Sequence, residues 1–347
     1  MSVHSPATSR RVLLALGLSL PLCIGLALAS GAVAIAPAEV LAGLRDSWRG
    51  EINQTAVIVG HIRLPRVLLA ALVGAVLAAS GAAMQGLFRN PLADPSLIGV
   101  TAGASLGASL IIVTGGSALQ GLSALSTITA VSTGAFVGGL LAVLLVYRLA
   151  SSDSGTSVAT MLLAGIAIAA LAGALGSLLE FHADSEALRR ISLWRMGGLD
   201  SASPQRLLFA LLIGALVLGS LPAFARHLDA LLLGESEARY LGINVESTKR
   251  LLVLIVALGV GASVALAGTI AFVGLVVPHI MRMLTGPAHR SLLPASALAG
   301  AALLVVADTL ARVMMAPTEL PVGIVTAIIG VPFFISLLRQ RSHYGMQ

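Results

Sequence analysis

The chain has 347 residues, 57% hydrophobic and 10% charged, with a formal net charge of +6 and a mean hydropathy of +0.98. Soluble domains carry about 25% charged residues, so this composition excludes an ordinary soluble enzyme and requires lipid as solvent. The single cysteine, Cys23, excludes an internal disulfide and a cysteine-ligated zinc or iron–sulfur cluster. Within a bilayer every backbone N–H and C=O must be satisfied by the protein, which leaves helices or closed barrels. The apolar runs, such as 67–83 and 207–221, lack the alternation of barrel strands. The expected fold class is therefore all-α, a polytopic membrane protein.

Spans of about 20 residues are predicted at 12–36, 66–88, 96–114, 122–147, 157–180, 207–225, 251–268, 270–281, 292–311 and 322–338. Together they use most of the chain. The first follows Arg10 and Arg11 and ends in ALASGAVA, which looks like a leader peptide with a small-residue cleavage site. The run exceeds the roughly 7–15 apolar residues of a leader, so an uncleaved helix is expected. In the third span Gly99, Gly103 and Gly107 form GxxxGxxxG, a spacing that lets helix backbones approach closely. The eighth span is too short to cross straight and holds Gly274 and Pro278, so it is expected to be broken or half-inserted. With the N-terminus inside, twelve Lys and Arg fall inside and nine outside. That bias agrees with both termini being cytoplasmic. The outer set, Arg45, Arg49, Arg63, Arg66, Arg189, Arg190, Arg195, Arg206 and Arg312, opposes the sorting rule and so points to a use for arginine there.

No GxxxxGK[ST] phosphate cradle occurs, and the only lysine, Lys249, does not follow a glycine-rich loop. Any ATP-driven work needs a partner that hydrolyses it. Asp308 is the clear ionisable residue within a span. It reads either as the relay of a proton-coupled secondary transporter or, preferably, as an i,i+4 ion pair with Arg312. No nucleophile–base pair or metal-ligand cluster suggests an enzyme. Residues 228–250 are polar. Positions 234–241 suit a short amphipathic helix, with Glu235 and Glu237 in the first turn and Arg239 later, as the helix dipole favours. Gly242 suits a left-handed helix stop, and Asn244 is expected to start a second short piece. These residues alone leave two readings open, a pair of helices that plugs a partner's groove or a solvated loop.

Several long segments carry a family likeness. HIRLPRVLLAALVGAVLAASGAAMQGLFRNPLADPSLIGVTAGASLGA, LWRMGGL, LGESEARYLGINVESTKR, GTIAFVGLVVPHIMRMLTGPAHRSLLPASALAGA and ADTLAR…ELPVGIVTAIIGVPFF span about residues 55 to 340. In them the chain resembles the FecCD-type permeases of ABC importers for iron siderophores, haem and cobalamin. The resemblance implies a single transmembrane permease domain over 1–347 with ten helices, a type II ABC importer fold and a homodimer with its pathway on the two-fold axis. It implies two cytoplasmic ATPase subunits that use ATP and Mg, and a periplasmic substrate-binding protein. It also implies a multi-pass place in the lipid of a bacterial inner membrane, with no nucleic-acid partner, no catalytic residues, no metal site and no tightly bound cofactor. Residues 228–250 become the cytoplasmic ATPase-coupling loop and 181–206 a periplasmic segment.

Roles carry over by position. Arg63, Arg66 and Arg312 match arginines that dock the binding protein. Glu235, Glu237, Ala238, Arg239, Leu241 and Gly242 match the ATPase-coupling element. Asn90 and Leu92, with Ser157 and Val158, match the inner gate, although a plain Asn-Pro turn also explains the first pair. HADSEALRRISLWRMGGL most resembles the haem branch, with haem as transported substrate; ferric siderophore and cobalamin are the alternatives within the family. Arg189, Arg190 and Arg195 would attract the propionates, and His182 and Met196 are candidate transient axial ligands.

Overall fold

The computed structural model describes residues 6–118, 124–153 and 155–344. Helix α1 (Pro6–Ala29) is followed by a short amphipathic helix α2 (Pro37–Trp48). A three-residue turn α3 (Gln54–Ala56) then leads through a π-helical stretch, Val57–Arg63, into α4 (Leu64–Leu87) without a break. A 3₁₀ turn (Pro95–Ile98) precedes α5 (Val100–Ala118) and α6 (Ala124–Ala150). Two short antiparallel strands, β1 (Ser151–Ser152) and β2 (Gly155–Thr156), pair Ser151 with Thr156 and lead into α7 (Val158–Phe181). Then come α8 (Ser185–Met196), α9 (Pro204–Ser220), a 3₁₀ turn (Leu221–Phe224), α10 (Ala225–Leu233), α11 (Glu235–Tyr240) and α12 (Val245–Ala267). Helices α13 (Val273–Thr285), α14 (His289–Val313) and α15 (Val322–Tyr344) complete the order.

Seven of the described helices are long and apolar enough to cross a membrane, and Val100–Gly115, Val273–Thr285 and Val322–Ser336 are shorter apolar helices. Each of the ten predicted spans falls on one of these. At 1.5 Å per residue, the 13 residues of α13 reach only about 20 Å of the roughly 30 Å hydrocarbon core. Residues 269–272 before it are non-helical, and Phe272 sits at φ 69. The expected irregularity of the eighth span thus lies at its start, and Pro278 is accommodated within the helix.

Helices α4 and α12 are buried along most of their length and form the centre. Glycine makes this possible for α4. A Cβ on Gly74 would collide with the Gly300 carbonyl of α14, and one on Gly81 with the Gly274 carbonyl of α13. Gly103 and Gly107 meet Gly138 and Gly134 of α6 in the same way. Gly99 does not belong to that packing stripe: it ends the 3₁₀ turn at φ +80. Exposed leucines at 14, 18, 22 and 26 form one stripe on α1 that faces outward.

Several boundaries differ from expectation for identifiable reasons. The first helix stops at Ala29 rather than 36, where two guanidiniums take over its last carbonyls. The sixth predicted span, 207–225, breaks at residue 221 into a 3₁₀ turn containing Pro222, which cannot continue the α-helical ladder. Asn244 does not start a short piece. Its side chain accepts from Ser247 N–H at 3.0 Å and caps the long α12. The predicted start of the fourth span, at 122, lies outside the described residues.

Candidate functional site

Two polar clusters sit at opposite ends of the bundle. At the first, here the arginine end, Asp308 of α14 is 1% exposed. Arg66 donates to it from Nε at 3.0 Å and from Nη2 at 2.9 Å. Arg312, one turn on, donates from Nε at 3.1 Å. Arg66 Nη1 also pairs with Glu319 at 2.7 Å. The expected Asp308–Arg312 pair is present, and Arg66 supplies two further donors to the same carboxylate. Arg63 donates to the carbonyls of Leu28, Ala29 and Val33, while Arg312 donates to those of Ala27 and Ser30. The last carbonyls of a helix lack partners and carry the negative end of its dipole, so these two guanidiniums cap α1. Gly31 leaves the room that the Arg63 guanidinium occupies. Arg63, Arg66 and Arg312 are therefore only 5%, 8% and 6% exposed. Their guanidiniums donate to the protein's own carbonyls and carboxylates.

At the other end, the hairpin end, α11 begins after Gly234, whose φ of +134 suits glycine, and the Glu237 carboxylate folds over it. It ends in the glycine stop expected of Gly242, at φ +82. Gly242 N–H donates to the Arg239 carbonyl at 2.9 Å and Ile243 N–H to the Ala238 carbonyl at 3.0 Å, the paired bonds of a Schellman turn. Ala238 is buried beneath this short helix, whereas Tyr240 and Leu241 are 92% and 65% exposed. Glu235, Glu237, Ala238, Arg239, Leu241 and Gly242 thus form one compact knob.

The knob is held from behind by a residue that the sequence marked only by its rarity. Lys249 is 1% exposed. Its Nζ donates to Glu235 at 2.8 Å, to Glu246 at 3.3 Å and to the Thr156 carbonyl at 2.6 Å. Glu246 in turn accepts Thr156 N–H at 2.8 Å and pairs with Arg239 at 3.6 Å. A second joint lies nearby: Asp229 of α10 accepts the backbone N–H of His289 at 2.9 Å and contacts its Nδ1 at 2.7 Å, tying α10 to the start of α14. In the sequence, the signal for Lys249 was a lone lysine three residues after a glutamate in an otherwise apolar chain.

The gate candidates lie on two neighbouring elements. Asn90 is exposed, and its side chain accepts Leu92 N–H at 3.0 Å, the local turn that Asn-Pro favours. Ser157 caps α7 by accepting Thr160 N–H at 3.2 Å, with Val158 half-buried next to it. The 3₁₀ turn after Asn90 presses the Leu97 carbonyl so closely on Gly165 of α7 that no Cβ fits. Beyond it, Asp94, Ser96, Thr101, Thr269 and Phe272 line a cavity of about 280 Å³. Burial pushes the Asp94 carboxyl up, partly opposed by the bond that it accepts from Ser96 N–H at 2.8 Å.

The proposed substrate contacts are not brought to one point. His182 caps the C-terminal end of α7, with Nδ1 2.9 Å from the Leu178 carbonyl. Met196 lies at the far end of α8 and is partly exposed. Arg189 is exposed and engaged with Glu186 at 3.2 Å, which raises its guanidinium pKa further. Arg195 binds Glu180 at 2.5 Å and Ser105 at 3.1 Å. Arg190 instead lines a cavity of about 300 Å³ with Trp194, Asp200 and Arg206. Among the described residues no group of three His, Cys, Asp or Glu side chains is placed to hold a metal ion.

A bundle of apolar helices with a buried arginine cluster at one end and an exposed knob at the other has the make-up of a multi-pass membrane protein. Residues 19–340 match the FecCD transport family, and the chain belongs to it. It is 50% identical over 284 residues to a hemin transport system permease protein of Yersinia pestis, covering 81% of this chain and 83% of that one. It is 45% identical to a cobalamin import system permease of Halobacterium salinarum, covering 88% and 79%. It is 41% identical to a vitamin B12 import system permease of Salmonella newport, covering 96% of both. A solved metal-chelate type ABC transporter in an inward-facing conformation superposes with a TM-score of 0.82 at 32% identity, over 95% of this chain and 99% of that one. The chain is thus an ABC importer permease with the type II importer fold.

Proposed function

We propose that the chain, as a homodimer, carries haem across the inner membrane of a bacterium by alternating access. Two cytoplasmic ATPase subunits use ATP and Mg and press on α11, while a periplasmic binding protein delivers haem at the arginine end. In this reading the hairpin end and both termini are cytoplasmic, residues 228–250 form the coupling loop, and residues 181–206 are periplasmic. The single permease domain spans 1–347, performs no hydrolysis itself and holds no resident cofactor.

The exposure of Tyr240 and Leu241 on a helix braced by buried charges carries the coupling part of this reading. Those two side chains would enter a groove of the ATPase, with Glu235, Glu237, Ala238, Arg239 and Gly242 setting their position. Asn90, Leu92, Ser157 and Val158 would form the inner gate. Arg63, Arg66 and Arg312 would support docking by fixing α1, α4 and α14 into the outer rim, where Glu319 remains 44% exposed. Arg189, His182 and Met196 would line the route for haem, and Arg190 would assist from its cavity. The 50% identity with the hemin permease supports haem. Reconstitution with the co-encoded ATPase and binding protein tests the substrate. ATP-dependent haem uptake, unaffected by excess cobalamin or ferric siderophore, is expected. Cobalamin or siderophore uptake without haem uptake would overturn the substrate and leave the importer class standing.

A further inference from the structure

Lys249 contacts three elements that otherwise share little. Glu235 opens the coupling helix α11. Glu246 lies in the first turn of α12. Thr156 ends β2 and immediately precedes Ser157, the residue that caps α7. All three donors of the ammonium are used, and both backbone polar groups of Thr156 are held, its carbonyl by Lys249 and its N–H by Glu246. The Thr156 hydroxyl is fixed as well, by Tyr147 of α6 at 3.3 Å and Ser151 at 3.0 Å. A side chain added at Gly155 would run into the Glu246 carboxylate, so the hairpin fits the clamp closely. Arg239, further along α11, reaches Glu246 and gives the coupling helix a second tether.

Electrostatics explains why such a clamp moves as one body. Removing one carboxylate from a buried ammonium is far more costly than breaking an exposed ion pair. Separating α11 from Lys249 would remove Glu235 and leave Glu246, on the lysine's own helix, as the remaining carboxylate; displacing α11, α12 and Thr156 together would keep both. Ala238 is the buried residue of α11, and the charged contacts join that helix to α12 and, through Lys249, to the hairpin. A push on Tyr240 and Leu241 therefore reaches Thr156 through Glu235 and Lys249 and arrives at the first turn of α7.

We infer that Lys249 is the positioning residue that transmits movement of the coupling helix to the start of α7, linking ATPase action to opening and closing of the inner gate. The inference rests on the coupling reading above and adds the residue through which the coupling runs.

The test uses the full complex of permease, ATPase and binding protein in nanodiscs and proteoliposomes. Lys249→Met removes the charge at similar length, and Lys249→Arg retains it. A nitroxide on Ser152→Cys, an exposed hairpin position, in a Cys23→Ser background reports the distance between the two copies with and without ATP. In the otherwise unchanged chain that distance should shift with ATP. Lys249→Met should assemble with the ATPase and hydrolyse ATP but lose the hairpin shift, and uptake per ATP should fall about 10-fold, the scale of an ordinary inter-site coupling. Lys249→Arg should restore most of both. An unchanged hairpin shift and uptake ratio in Lys249→Met would overturn the inference. So would a parallel loss of assembly, hydrolysis and uptake that Lys249→Arg does not relieve, since that reports a folding role only. Leu241→Asp separates the two readings: if it leaves ATPase association intact, the coupling surface itself is wrong, whatever Lys249 does.

Discussion

Replacing Asp308 with asparagine changes almost no volume but removes the one anion that two buried guanidiniums share. Three donors end on its carboxylate, Nε and Nη2 of Arg66 and Nε of Arg312. An asparagine carbonyl can keep part of this set, but its amide group turns N–H donors toward a guanidinium that has no acceptor for them. Hydrogen bonds to charged groups contribute roughly 1.5–3 kcal/mol each, and breaking a buried pair from one side costs roughly 3–5 kcal/mol. Arg66 retains Glu319, so the lower end, about 3 kcal/mol, is expected for Asp308→Asn. Glu319→Gln provides the contrast. Its carboxylate is 44% exposed, and partly exposed ion pairs contribute about 0–1 kcal/mol. Unfolding of both variants in the same mixed micelles, followed by denaturant titration, measures the difference directly. If the two agree within about 1 kcal/mol, the buried-pair reasoning is wrong. If Asp308→Asn instead folds with full stability but abolishes uptake, Asp308 acts in transport rather than in holding the arginine end together.

Other outcomes follow from the same geometry. Gly107→Leu should lower unfolding stability by about 1–3 kcal/mol or more, because even a Cβ there meets the Gly134 carbonyl; Gly17→Leu, with nothing within 4 Å, should be neutral in the same titration. Gly242→Pro cannot keep φ +82, since proline fixes φ near −65°. It should leave the bundle folded but reduce ATPase association and uptake, both measurable in proteoliposomes. Asp94 has its pKa raised above 3.8 by burial. The folded state then holds the proton more tightly than the unfolded chain, so stability is greatest below 3.8 and is lost as pH rises through the raised value. Asp94→Asn should flatten that decline and melt higher than the parent at neutral pH. Parallel melting curves across the pH range would show that the carboxyl is already well solvated.

Period and composition made the spans legible, because long apolar runs in a chain with few charges leave little freedom of assignment. Short elements other than α11 were not legible. Helix α2 lies between the first two predicted spans, where no element was predicted, and has Leu41, Trp48 and Ile52 exposed around it; the hairpin is only two residues on each strand. Helix ends were missed where distant residues set them, as with Ala29, whose helix stops where Arg63 and Arg312 arrive from far along the chain. Local chemistry was read correctly where it is local, as at Gly242, and incorrectly where a capping residue serves a longer element, as at Asn244. For the site, sequence position identified the knob on α11, but not the burial of Arg63, Arg66 and Arg312. Exposure is a property of what packs around a residue, and for these three the acceptors come from α1 and α14. Lys249 shows the converse. Its partners Glu235 and Glu246 are near in sequence, yet Thr156 lies on a hairpin that only the fold brings close.

The rarity of lysine has a practical side. The other twenty of the 21 basic residues are arginines, which acylating reagents ignore at neutral pH. The sole side-chain amine is 1% exposed and shielded by two carboxylates and a carbonyl. A succinimidyl ester should therefore find almost nothing to modify beyond the chain's own α-amino group while the clamp is shut. Each internal acylation would record one opening, so the time course of modification, read by mass spectrometry of a single peptide, would serve as a built-in chronometer for that joint.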